Sequence, residues 1–101
     1  MKLFYREKGD TNLPVMVILH GLWGASDNWL PVADILSEHF HVILPDLRNH
    51  GFSPHSDMMD YPSMAQDILQ LLRHLDCAGK FFYGGSFDGW EMFDVYVAAL
   101  S

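Results

Sequence analysis

Val15 to Leu19, VMVIL, is an uninterrupted apolar run, the pattern of a strand buried on both faces. Leu3 to Glu7 has strand character and stops at the turn signal Gly9-Asp10. After Gly21 and Gly24 the period changes from that of a strand to that of a helix. Trp29, Val32, Ala33 and Leu36 then recur at helical spacing, behind Ser26, Asp27 and Asn28 as candidate N-caps, with Pro31 in the first turn. His41 to Leu44 reads as the next short strand, and PDLRNHGFSP as loop. Ser63 with Gln66 predicts a capping box for a second helix. Its buried stripe would be Met64, Ile68, Leu71 or Leu72, and Leu75, and Gly79 would close it. Phe81 to Tyr83 predicts another strand, and Trp90 to Leu100 a third helix, apolar nearly all round. This order predicts one α/β domain over residues 1–101, a mostly parallel sheet with helices on both faces. Ligands in such sheets bind at the carboxyl ends of the strands. Both glycine-rich turns, after Leu19 and after Tyr83, fall there.

Composition narrows the classes. Half of the residues are apolar and 14% are aromatic, enough material for a core. A net charge of -7 with six Lys plus Arg argues against nucleic acid or an anionic membrane as partner. Cys77 stands alone, so no intrachain disulfide forms and a reducing compartment is expected. The N-terminal MKLFYREKGD lacks the apolar stretch of a signal peptide, and no run approaches membrane-spanning length. A cytoplasmic protein is the expectation. The six histidines include no pair at zinc-site spacing backed by cysteines, so no metal site is expected.

Three segments carry candidate chemistry. In His20-Gly21-Leu22-Trp23-Gly24 the glycines permit a sharp turn whose amide N–H groups line a crevice. Such donors suit an oxyanion in acyl transfer or a phosphate, and the same turn also serves with no ligand at all. Asp46 to Ser53 reads as a structural loop beside a site, since Asp and Asn bond nearby backbone and Gly51 tolerates a positive φ. Gly84-Gly85-Ser86-Phe87-Asp88-Gly89 has the outline of a nucleophile elbow, a strand-to-helix turn with a serine at its tip. Gly84 meets the demand for a small residue on one side, whereas Asp88 brings a Cβ and a charge to the other.

Together, HGLWGASDNW, PDLRNHGFSP, YPSMAQDILQLLRHL and the strand-Gly-Ser turn resemble the α/β-hydrolase superfamily, over roughly residues 2 to 84. The pattern is most similar to its small bacterial esterase and thioesterase branch. The resemblance implies the N-terminal half of that fold and hydrolysis of a small ester or thioester through an acyl-enzyme, without a cofactor. It implies Ser86 as nucleophile, the N–H groups of Leu22 and Phe87 as the oxyanion hole, and Trp23 as a lining residue of the acyl pocket. The serine speaks against epoxide or haloalkane chemistry, for which this fold uses Asp at that position.

Two departures complicate the picture. The family elbow reads Gly-His-Ser-Met-Gly-Gly, and the triad runs Ser, then Asp or Glu, then His. All six histidines here precede Ser86, so a truncated and inactive chain is expected. Read one base late, with permitted synonymous codons, Gly85 to Glu91 becomes Gly-His-Ser-Met-Gly-Gly-Lys. That favours a frameshift, with residues 85–101 an out-of-frame tail; a diverged elbow at Ser86 is the rival. A small non-enzymatic α/β domain, using the HGLWG loop to bind an anion, is the alternative function. The strand at 81–83, lacking its outer partner, is expected to promote self-association.

Overall fold

The computed structural model describes residues 1–21, 24–76 and 81–85. Among these, four strands form one sheet: β1 (Tyr5–Lys8), β2 (Val15–Leu19), β3 (His41–Pro45) and β4 (Phe81–Gly85). The spatial order is β1-β3-β2-β4. Strands β3 and β4 both run parallel to β2, whereas β1 pairs antiparallel with β3. The short Gly9 turn explains that exception: β1 has no crossover helix after it, and β2 lies one strand away.

Alternation along the strands sorts two helices onto opposite faces. Val17, Leu19 and Ile43 point to one side and join Met64, Ala65, Ile68, Leu69, Leu71 and Leu72 of α2 (Tyr61–His74). Ile18, Val42 and Leu44, one residue out of phase, point to the other side. There they meet Ala33 of α1 (Leu30–Leu36), with Trp29 and Leu36 packed against the cluster. A period of two in the strands thus produces three layers from one sheet. Leu72 is fully buried, and its truncation to alanine would cost about 2–5 kcal/mol.

The sequence reading needs correction at several boundaries. The first strand starts at Tyr5 rather than Leu3, because the Phe4 N–H donates to the Ser53 hydroxyl (2.9 Å) instead of a neighbouring strand. The last strand reaches Gly85 rather than Tyr83, with Gly84 and Gly85 opposite Ile18 and Leu19. Ser26 to Trp29 form a separate 3-10 turn before α1, and its N-cap is Ala25 without a side-chain hydrogen bond. Ser26 is instead buried, and its N–H donates to Asp46. Val32 is 40% exposed, off the buried face of α1. The second helix begins at Tyr61, and its cap is Asp60, whose carboxylate accepts the Ser63 N–H at 2.7 Å. Ser63 therefore sits inside the first turn and is the capped residue, not the cap. Pro62 fits that turn because its missing N–H would have had no helical partner. The expected third helix at 90–100 lies outside the described residues.

Candidate active site

Because β2, β3 and β4 are parallel, their carboxyl ends share one edge of the sheet. His20 follows β2 there, Asp46 follows β3, and β4 ends at Gly85, the residue before Ser86 in the sequence.

His20 is completely buried. Its Nε2 lies 3.0 Å from the Leu47 nitrogen, and its Nδ1 lies 2.7 Å from the Gly21 carbonyl oxygen. A backbone N–H can only donate, so Nε2 must carry the lone pair. The ring is then neutral with its proton on Nδ1, which donates to the Gly21 carbonyl. Burial pushes the His20 pKa below 6.5, the neighbouring His50 acts in the same direction, and the Gly21 hydrogen bond and the Asp46 and Asp27 carboxylates oppose it. The Gly24 N–H donates to the same Gly21 carbonyl at 3.1 Å, tying the two flanks of the HGLWG loop together. A Cβ on Gly24 would stand 3.1 Å from that oxygen and 3.0 Å from the Asn28 amide, so the close approach favours glycine.

Asp46 is the second buried hub. One carboxylate oxygen accepts the Ser26 N–H (2.7 Å) and the other the Phe52 N–H (2.9 Å). Its carbonyl accepts the Ser53 hydroxyl at 2.5 Å. Burial alone would raise its pKa, but hydrogen bonds from Ser26 and Phe52 outweigh that and hold it below 3.8. Gly51 has φ +50°, and a Cβ there would overlap the Asp46 carboxylate. Asn49 also takes a positive φ, 65°, and its side-chain oxygen accepts the Ser56 N–H at 2.7 Å. Arg48 leaves this loop in the opposite direction. Its guanidinium grips Asp67 of α2 with two bonds, at 2.7 and 2.9 Å, and donates to the Met58 carbonyl at 2.8 Å. The Asp67 hydrogen bond raises the Arg48 pKa.

The reading of residues 46–53 as a structural loop therefore matches its geometry: it ties β3 to the HGLWG loop on one side and to α2 on the other. His20 and His50, thirty residues apart, come within 5.1 Å between ring centroids. Sequence reasoning treated the histidines as scattered and missed the role of His20. The signal was available: a polar ring directly after a fully apolar strand enters a site where it must find two partners. Leu22, Trp23, Ser86 and Phe87, the expected oxyanion, pocket and nucleophile residues, lie outside the described residues. Two cavities of about 390 and 460 Å³ flank α2, lined by Arg48, Asp67 and Gln70 in one and Lys2, Leu3 and Tyr5 in the other. Neither is lined by His20, Gly21 or Gly24. Among the described residues no group of His, Cys, Asp and Glu is placed to hold a metal ion.

A family model described as the alpha/beta hydrolase fold matches residues 14–89. The chain belongs to the α/β-hydrolase family. It is 40% identical over 79 residues to the esterase YbfF of Escherichia coli, an alignment covering 77% of this chain and 30% of the relative. It is also 40% identical over 78 residues to the sn-1-specific diacylglycerol lipase ABHD11 of Xenopus laevis, covering 75% of this chain and 25% of that protein. Among solved structures, an esterase from a marine microorganism superposes with a TM-score of 0.72 at 45% identity, covering 74% of this chain and 28% of that one. The α/β-hydrolase chain described here thus spans under a third of the length of these relatives. No helix among its described residues is long and apolar enough to cross a membrane.

Proposed function

We propose that this α/β-hydrolase chain carries the oxyanion loop and nucleophile turn of a serine hydrolase acting on carboxylic esters or thioesters. The observation that carries the reading is the His20-anchored turn at the end of the central strand, beside the strand whose next residue is Ser86. The family match running through residue 89 supports it, as do the esterase and lipase relatives. On this reading the Ser86 Oγ attacks the acyl carbonyl and expels the alcohol or thiol, leaving an acyl-enzyme that water then cleaves. The N–H groups of Leu22 and Phe87 receive the negative charge that develops on the carbonyl oxygen, and Trp23 lines the acyl pocket.

The base that takes the Ser86 proton is not His20, because its acceptor nitrogen is already filled by the Leu47 N–H. The other five histidines also precede Ser86 in the 101 residues. We accordingly propose that these 101 residues alone do not turn over substrate. On the competing reading, favoured by the codon pattern, residues 85–101 are out of frame, the nucleophile belongs to the hidden Gly-His-Ser-Met-Gly-Gly-Lys, and Ser86 stands in its place by accident.

Labelling with a fluorophosphonate tests the nucleophile. A covalent adduct on Ser86, abolished in Ser86→Ala, establishes a working elbow and overturns the frameshift. Absence of the adduct, together with phosphate binding at the HGLWG loop, supports the anion-binding alternative. Sequencing the source DNA from codon 75 past the stop tests the frameshift directly. A shifted frame that reads Gly-His-Ser-Met-Gly-Gly-Lys and stays open supports it, and codons unable to encode that peptide refute it.

A further inference from the structure

We infer that His20 is a positioning residue of the HGLWG loop, and that a second proton on its ring releases the loop from the segment after β3. The inference rests on reading that loop as the oxyanion site only for its consequence in catalysis; the latch itself stands on geometry. The neutral ring holds two backbone groups at once, donating to the Gly21 carbonyl and accepting from the Leu47 N–H. Gly21 in turn receives the Gly24 N–H, so a single imidazole fixes both flanks of the loop against Leu47.

Protonating Nε2 would set an N–H against the Leu47 N–H, two donors with no acceptor between them. The ring would have to leave the site or surrender that bond, and the Gly21 carbonyl would move with it. The groups facing the ring set how readily this happens. His50, tilted 52° against it, disfavours a second charge, whereas Asp46 at the end of β3 and Asp27 in the 3-10 turn favour one. Complete burial favours the neutral ring. His20 therefore ties Gly21 to Leu47 near neutral pH and releases that tie in acid, without being consumed as a catalytic base.

The test uses the full chain uniformly labelled with ¹⁵N, and follows the imidazole nitrogens and the backbone amides from neutral into acidic pH. The expected result is the Nδ1–H form at neutral pH, a titration below the ordinary histidine range, and shifts of the Gly21, Gly24 and Leu47 amides on the same curve. His20→Gln, whose side-chain oxygen can take the Leu47 N–H but which has no donor at the Nδ1 position for Gly21 and does not titrate, should keep the Leu47 amide near its neutral-pH position and lose the step. An Nε2–H tautomer overturns the inference. So does a ring titration that leaves those amides unmoved, a step that survives in His20→Gln, or a ring that stays neutral until the whole chain unfolds. The hydrolase reading is judged separately, by fluorophosphonate labelling of Ser86. Where labelling occurs, its rate should fall along the His20 titration; where it does not, the spectra still decide the latch.

Discussion

Both carboxylate oxygens of Asp46 accept backbone N–H groups from different segments, so this one side chain replaces hydrogen bonds that a loop cannot make to itself. Asp46→Asn keeps one acceptor but turns an amide N–H₂ toward the second N–H. Hydrogen bonds to a charged group contribute about 1.5–3 kcal/mol, so the variant should lose about 2 kcal/mol or more in urea unfolding. A loss below a few tenths would show that the hub is dispensable. The pH dependence follows from the directions of the shifts. The folded His20 pKa lies below 6.5, so the unfolded chain binds its proton first and stability falls as pH drops below 6.5. Asp46 and Asp60 lie below 3.8 when folded, so their contribution is present above that value and is lost as pH falls through their folded pKa values. Urea midpoints measured against pH should show two acid steps, and His20→Gln should remove the first. One step near 3.8 in the unaltered chain would contradict the buried neutral histidine. Gly51 was readable from sequence as a turn glycine, but the Asp46 carboxylate that excludes a Cβ there comes from five residues away through the loop's path.

At the scale of the element, α2 shows how a correct pattern carries a wrong boundary. Met64, Ile68, Leu71 and Leu72 are all buried, as their spacing required, and Leu75 packs against the same cluster. The capping box at Ser63 and Gln66 was equally compatible with the residue types, but Asp60 and Pro62 start the helix a turn earlier. Asp60→Ala should lower the melting temperature, because it removes the acceptor of the cap, and Ser63→Ala should lower it less, since alanine retains the backbone N–H that Ser63 donates and loses only the hydroxyl. The reverse order would restore the capping box. Further along the helix, Asp67 is buried against Arg48. Asp67→Ala leaves that guanidinium without its carboxylate and should cost about 3–5 kcal/mol, measurable as a lowered melting temperature. The pair was not legible because nineteen residues separate its members and nothing local links a loop arginine to a helix aspartate.

For the whole molecule, β4 pairs with β2 alone among the described residues, the edge position in the order β1-β3-β2-β4. An edge strand offers its N–H and C=O groups to other chains. Sedimentation should therefore show mass rising with protein concentration, and more so in salt, which screens the repulsion of a net charge of -7. A monomer at all concentrations with a sharp cooperative melt would refute this. The chain's own pattern determined the α/β alternation, the central position of VMVIL and the apolar stripe of α2, because those follow from local periodicity and from burying one face of each element. Tertiary structure alone decided the antiparallel pairing of β1, the Arg48–Asp67 pair and the His20 bridge to Leu47. Each of these depends on which polar groups long-range folding leaves without water, and on which backbone groups it then brings within reach to satisfy them.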